Sequence, residues 1–229
     1  MKTVIITGAS GNLGTVVTQY LLGKGYRVLA TADSESTRAA MRSHDNLEVS
    51  TLNLADEKAS GAFVQQAIST HGKIDAALLL AGGFAPGNIA SATGADLQKQ
   101  FSLNFETAYF IARPLFEHML EQQNGRIVFI GARPALVAAQ GKNTVAYGLS
   151  KSLLFKLAEY MNAEAKGKNV TVSVVVPSTI DTVPNRKSMP DANPADWVKP
   201  EQLAEILGFL VSDGGAALRE TVLKVYNNA

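Results

Sequence analysis

Seven short apolar runs, rich in β-branched residues, recur along this chain at 3–7, 27–32, 47–52, 75–80, 126–130, 170–176 and 221–226. The stretches between them, near 12–24, 57–70, 95–122, 144–166 and 200–211, have the apolar spacing of helices. Strands that alternate with helices predict a parallel sheet covered on both faces. Ala76-Ala77-Leu78-Leu79-Leu80 and Val172-Ser173-Val174-Val175-Val176 are apolar on both sides, as central parallel strands must be. The expected fold is therefore α/β, a Rossmann-type doubly wound parallel sheet in three layers, α/β/α. With 229 residues, 46% of them hydrophobic, the chain fits a single domain over 1–229. Ligands of such sheets bind beyond the carboxyl ends of the strands. The chemistry is accordingly expected at 7–14, 81–83, 131–134 and 177–182.

The first of these places is the most specific. Thr3-Val4-Ile5-Ile6-Thr7 runs directly into Gly8-Ala9-Ser10-Gly11-Asn12-Leu13-Gly14 and then into a helical pattern. Strand, glycine turn and helix in that order suit a dinucleotide. Glycines let the chain turn sharply and let backbone N–H groups approach a pyrophosphate resting on the helix N-terminus. Gly8, Ser10, Gly11, Asn12, Leu13 and Gly14 are the expected cradle.

Tyr147 and Lys151, in Ala146-Tyr147-Gly148-Leu149-Ser150-Lys151, stand one helical turn apart on one face. A nearby ammonium favours phenolate and brings a tyrosine closer to useful acid/base range. The pair gains weight from the glycine turn upstream of it.

Charge and composition narrow the remaining possibilities. A net charge of +1 without a basic block points to neither nucleic acid nor an anionic membrane. The first strand starts too early for a signal peptide, and no apolar run reaches the length of a membrane span, so a cytoplasmic protein is expected. With no cysteine there is no disulfide, thiol nucleophile or thiolate metal site. His44, His71 and His118 have no ligand spacing, and no metal is expected.

The ordered set of Thr7-Gly8 through Gly14, Ala81-Gly82-Gly83, Asn104, Tyr147 with Lys151, and the segment 177–182 resembles the short-chain dehydrogenase/reductase family over nearly the whole chain. Within it, Ala81-Gly82-Gly83-Phe84-Ala85-Pro86-Gly87-Asn88, Gly131-Ala132-Arg133 and the segment from Asp181 to Pro190 look most like dihydropteridine reductases. The resemblance implies Tyr147 as proton donor and Lys151 as the lysine that holds the nicotinamide ribose and lowers the phenol pKa. It makes Asn104 the asparagine that fixes a water linking the lysine to solvent. It further places Asn53 and Leu54 at the adenine, Ala81, Gly82 and Gly83 along the cofactor, and Pro177, Ile180 and Thr182 at the carboxamide end.

Two departures shape the functional expectation. The serine that polarises the substrate carbonyl in this family is absent, its expected position falling near Ala132. Thr144, Gln140 or Asn143 are candidates to replace it, and Arg133 is a candidate for an anionic substrate. Asp33, after the second strand, suits the ribose hydroxyls and repels a 2′-phosphate, but Ala32 occupies the more usual place. The cofactor is expected to be NAD(P)H, with NADH favoured over NADPH. The activity expected is hydride transfer from the nicotinamide to an electrophilic C=N or quinonoid small molecule. Alternatives are a general carbonyl or quinone reductase and a non-catalytic dinucleotide-binding redox sensor. The proline-rich stretch 177–200 is expected to form a substrate lid. By the same resemblance, the helices near 95–122 and 144–166 are expected to pair in a homodimer or homotetramer.

Overall fold

The computed structural model describes residues 1–228. Its strands are β1 (Thr3–Thr7), β2 (Arg27–Ala32), β3 (Leu47–Thr51), β4 (Ala76–Leu79), β5 (Asn124–Ile130), β6 (Asn169–Pro177) and β7 (Val222–Val225). Its helices are α1 (Asn12–Gly23), α2 (Glu35–Ala39), α3 (Glu57–His71), α4 (Gly94–Phe101), α5 (Thr107–Glu121), α6 (Ala138–Gly141), α7 (Val145–Glu164), α8 (Val183–Ser188) and α9 (Pro200–Val211). The strands form one parallel sheet in the order β3-β2-β1-β4-β5-β6-β7. This is the doubly wound Rossmann-type arrangement that the alternation predicts.

Side chains alternate across a strand, so β1, buried along its whole length, feeds both faces at once. Ile5 packs into a cluster with Val64 of α3, Ile111 and Leu115 of α5, and Leu154 of α7. Val4 and Ile6 point the other way, toward Val17 and Leu21 of α1 and Leu203 and Leu207 of α9. Each such fully buried aliphatic side chain contributes about 1.5–3 kcal/mol relative to exposure. Local signals set the helix ends: the Asp56 carboxylate accepts from the Ala59 N–H at 3.0 Å to cap α3, worth about 1 kcal/mol. Gly72, at φ +72°, ends that helix.

Strand order reverses between β1 and β4, the switch point beyond which ligands of such sheets bind. A Cβ on Gly8 would lie 2.9 Å from the Ala81 backbone nitrogen, which shows how closely the loops after these two strands approach.

Two regions add detail to the sequence expectation. The helix expected over 95–122 runs continuously from Gly94 to Glu121, with a π-turn at Ser102–Glu106 between α4 and α5. The stretch 177–200, expected as a lid, carries short elements of its own. Thr182 caps α8 and Pro184 sits in its first turn, where a missing N–H costs nothing. A 3₁₀ turn follows at Pro194–Asp196, and Trp197 is buried. The segment is anchored at its base by Asp181 N–H to Val198 O (2.8 Å), Val198 N–H to Thr179 O (2.9 Å) and Asn227 Nδ2 to Trp197 O (2.9 Å).

Candidate active site

The glycine turn is sterically obligatory. Gly8 adopts φ +63°, and its carbonyl accepts from the Gly11 N–H at 3.0 Å. A Cβ on Gly14 would stand 2.1 Å from that same carbonyl oxygen. Gly11 caps α1 without any side-chain hydrogen bond, so the first-turn N–H groups of the helix are left for a ligand.

A groove of 820 Å³ opens over this turn, within the size range of cofactor sites. The expected residues Gly8, Ser10, Gly11, Asn12, Leu13, Gly14, Asp33, Asn53, Leu54, Ala81, Gly82, Ile180 and Thr182 all line it. Pro177 does not: it is the buried last residue of β6, paired with Val225, and its position is set by the sheet. Gly83 lies just behind the groove, bonded to Asn104. Asp33 accepts from Thr37 Oγ1 at 2.6 Å, which orients its carboxylate at the end of β2. Arg38 is paired with Glu35 at 2.9 Å. Lys99, which the sequence reading passed over, is the one cation among the described residues that line the groove. The cradle, the free helix N-terminus and the elongated groove fit a dinucleotide.

The expected catalytic pair stands on α7. Lys151 is buried, and its Nζ donates to the Ile130 carbonyl at the end of β5, at 2.9 Å. Tyr147, one turn earlier, is half-buried, and its ring meets Phe84 edge-on with centroids 5.2 Å apart. Burial by itself acts against the expected lowering of the phenol. Burial pushes Tyr147 up to about 12 and brings Lys151 down to about 8, because each loses solvation of its charged form. At neutral pH the phenol therefore carries its proton and the lysine is mostly ammonium.

Asn104 sits inside the π-turn, fully buried. Its Oδ1 accepts from the Gly83 N–H at 3.0 Å, and the two hydrogens of its Nδ2 are shared among Gly83 O at 3.0 Å, Gln100 Oε1 at 2.9 Å and Ser150 Oγ at 3.2 Å. Its side chain thus holds the loop after β4. Ser150 and Gln100 were not singled out in the sequence. The one available signal was the spacing of Gln100, four residues before Asn104, which puts two amides on one helical face.

Ala132, where the family places a serine, is buried and carries no hydroxyl. Of the candidate replacements, Thr144 Oγ1 donates to Gln140 O at 3.5 Å, and Asn143 uses its carbonyl to accept from the Gly87 N–H at 2.8 Å. Val145 N–H donates in turn to Gly87 O at 2.8 Å, so the loop carrying Phe84 is tied to the start of α7. Arg133 lies over the ring of Tyr226, 4.6 Å from its centroid. No group of three or more His, Asp or Glu side chains able to hold a metal occurs among the described residues. No helix among them is long and apolar enough to cross a membrane.

A dinucleotide groove at the switch point, with a tyrosine and lysine on the helix beside the fifth strand, defines an NAD(P)-dependent oxidoreductase. The family model for short chain dehydrogenases matches residues 2–193, and the chain belongs to the short-chain dehydrogenase/reductase family. It is similar to the acetoacetyl-CoA reductase of Acinetobacter sp. (strain RA3849), with 25% identity over 98% of this chain and 96% of the relative. It is also similar to the ketoacyl reductase HetN of Nostoc sp. (strain PCC 7120), 31% identical over 82% of this chain and 68% of the relative. The fold matches that of ElxO with NADP bound at a TM-score of 0.89, with 20% identity over 98% of this chain and 96% of that one. The narrower likeness to dihydropteridine reductases finds no support among these relatives, two of which are named as ketoacyl or acetoacetyl reductases.

Proposed function

We propose that this enzyme reduces an electrophilic C=N or quinonoid small molecule, with NADH preferred over NADPH and Tyr147 as the proton donor. When bound, the reduced nicotinamide supplies the hydride. The residues lining the groove hold the dinucleotide: the turn from Gly8 to Gly14 takes the pyrophosphate, Asp33 the adenosine ribose, Asn53 and Leu54 the adenine, and Ile180 and Thr182 the carboxamide. Lys151 orients the nicotinamide ribose, and Asn104 keeps the neighbouring loop in place. The segment over 177–200 acts as a lid through α8, whose Val183 is exposed.

The observation that carries this reading is the Tyr147 ring set against an exposed Phe84, with Ala132 near the place of a hydroxyl donor. A phenol that keeps its proton near neutrality serves reduction. Phe84, 65% exposed yet held on a tied loop, offers a flat apolar contact next to the reacting atoms. The missing hydroxyl removes one donor to a developing oxyanion, an effect worth roughly 10²–10³ in rate when such a donor is lost. A substrate that is already strongly electrophilic needs that donor least.

The names of the relatives favour a second reading, a carbonyl reductase acting on 3-oxoacyl compounds. Steady-state assays with NADH and NADPH against quinonoid dihydropterin, quinones, small ketones and a 3-oxoacyl thioester separate the two. Fastest turnover on the thioester replaces the first reading with the second. Tight nucleotide binding without turnover on any of them makes the chain a redox sensor.

The apolar groove between α4 and α7, which includes Leu97, Phe101, Leu149 and Leu153, supports pairing with a second copy as a dimer or tetramer. Light scattering that finds a monomer at micromolar concentration removes this part of the proposal.

A further inference from the structure

Helix α4 buries a single residue among those described, and that residue is a glutamine. Gln100 is only 2% exposed. Burying an amide is costly unless its polar atoms find partners, and an apolar side chain at this place would pack without that cost. The position of its oxygen suggests why an amide stands there.

The Asn104 amide can be placed in two orientations that differ by exchange of oxygen and nitrogen. The Gly83 N–H faces one end of it and requires an oxygen there. Three acceptors surround the other end: Gly83 O, Gln100 Oε1 and Ser150 Oγ. Ser150 has already spent its only proton on the Tyr147 carbonyl, at 2.8 Å, so toward Asn104 it accepts. Gly83 fixes one orientation of Asn104 by its two backbone groups, and Gln100 and Ser150, both accepting at the nitrogen end, reinforce it. That orientation grips both the N–H and the carbonyl of Gly83 and fixes the chain at 81–83. Gly82 faces the same corner: a Cβ on it would fall 2.6 Å from Asn104 Oδ1 and 3.0 Å from Lys151 Nζ. Gln100 is thus bonded to an amide that shares with the Lys151 ammonium the space beside Gly82.

We propose that Gln100 is a positioning residue for the Tyr147–Lys151 pair, acting by locking the Asn104 amide and, through Gly82 and Gly83, the enclosure of the lysine. This rests on the proposed role of that pair in catalysis. The ammonium is bonded to the Ile130 carbonyl from β5, and Asn104 from the π-turn borders the same space beside Gly82 of the loop after β4. Tyr147, one turn earlier on α7, is the nearest titratable group along that helix, and none of these carries a charge near neutrality. Loosening the enclosure admits water to Lys151 and moves its titration toward the ordinary lysine value.

The test is Gln100→Met, close to glutamine in shape but without the acceptor. NMR titration of the ligand-free protein carrying ¹³C-labelled lysine reads Lys151 directly, since it titrates near about 8, well below an exposed lysine. The expected result is an upward shift of at least about half a unit, with kcat reduced about tenfold on whichever substrate the wild type turns over. A folded Gln100→Met protein with an unchanged Lys151 titration and unchanged kcat overturns the proposal, as does a fall in melting temperature alone. If Gln100→Met does not fold, Ser150→Ala removes another acceptor from the same amide, and a shift in the same direction is expected. Its absence overturns the proposal equally. Should the wild type reduce nothing, the reading of the reaction fails while the NMR titration still decides the role of Gln100.

Discussion

The groove over the glycine turn and the corner around Lys151 are adjacent, yet they are made of different materials. The groove is shaped at the glycine turn by backbone. Its main devices are the absence of Cβ atoms at Gly8 and Gly14 and the bare N-terminus of α1. The corner is made of side chains, with Gln100, Asn104, Ser150 and Lys151 all buried and bonded to one another or to main-chain carbonyls. A backbone site works by leaving space, and its cost is conformational. A side-chain site works by burying polar groups, and its cost is desolvation, which appears in the raised Tyr147 and lowered Lys151 titrations.

That contrast can be broken most sharply at Tyr147. Tyr147→Phe is expected to lower kcat by roughly 10²–10⁴ while nucleotide affinity, read by NADH fluorescence, stays within about threefold. A comparable loss of affinity would mean that the corner and the groove act as one site. The complementary change is Gly14→Ala, which drives a methyl into the Gly8 carbonyl. It is expected to weaken nucleotide binding by about a hundredfold, or about 2.7 kcal/mol, and to leave the Lys151 titration where it is.

Ala132→Ser is a gain-of-function test of the corner. If the missing hydroxyl limits carbonyl reduction, turnover of simple ketones rises about tenfold or more, and turnover of quinonoid substrates changes little. Equal gains on both would remove the argument from electrophilicity. At the groove, Asp33→Ser is expected to shift the ratio of kcat/KM for NADH over NADPH about tenfold toward NADPH, equivalent to about 1.4 kcal/mol. A ratio that does not move takes Asp33 out of cofactor choice.

The smallest effect is on stability. Lys151 titrates near about 8 in the folded chain and near about 10.4 unfolded, so between those values the unfolded state binds more protons and stability rises with pH. From pH 7.5 to 9 the expected gain is about 1 kcal/mol, or about 2–4 °C in melting temperature. Above pH 10 the raised Tyr147 reverses the trend, because there the folded state holds the extra proton. Melting curves of Lys151→Met should lack the rise. Its persistence would show that another group carries it.

The two regions also differed in how far the sequence disclosed them. Each of the six residues assigned to the glycine cradle lines the groove, because a steric requirement for glycine within a strand–turn–helix pattern is written into consecutive residues. The strands appeared where apolar runs placed them, for the same local reason. Pro177 alone of the residues expected at the carboxamide end does not line the groove, because the end of β6 depends on pairing with Val225, a partner distant in sequence. Gln100 and Ser150 went unremarked, since a buried amide and an exposed one look alike until the neighbouring helix is in place.

The amino-acid sequence alone determined the doubly wound architecture, the nucleotide cradle and the helical spacing of Tyr147 and Lys151. All three follow from steric and periodic rules that act over a few residues. Only the tertiary structure decided the direction of the titration shifts at the corner, the π-turn at Ser102–Glu106 and the grip of Asn104 on Gly83. Desolvation and hydrogen-bond satisfaction depend on what the whole fold brings to a point, and Gly83, Asn104 and Ser150 meet there from three separate elements.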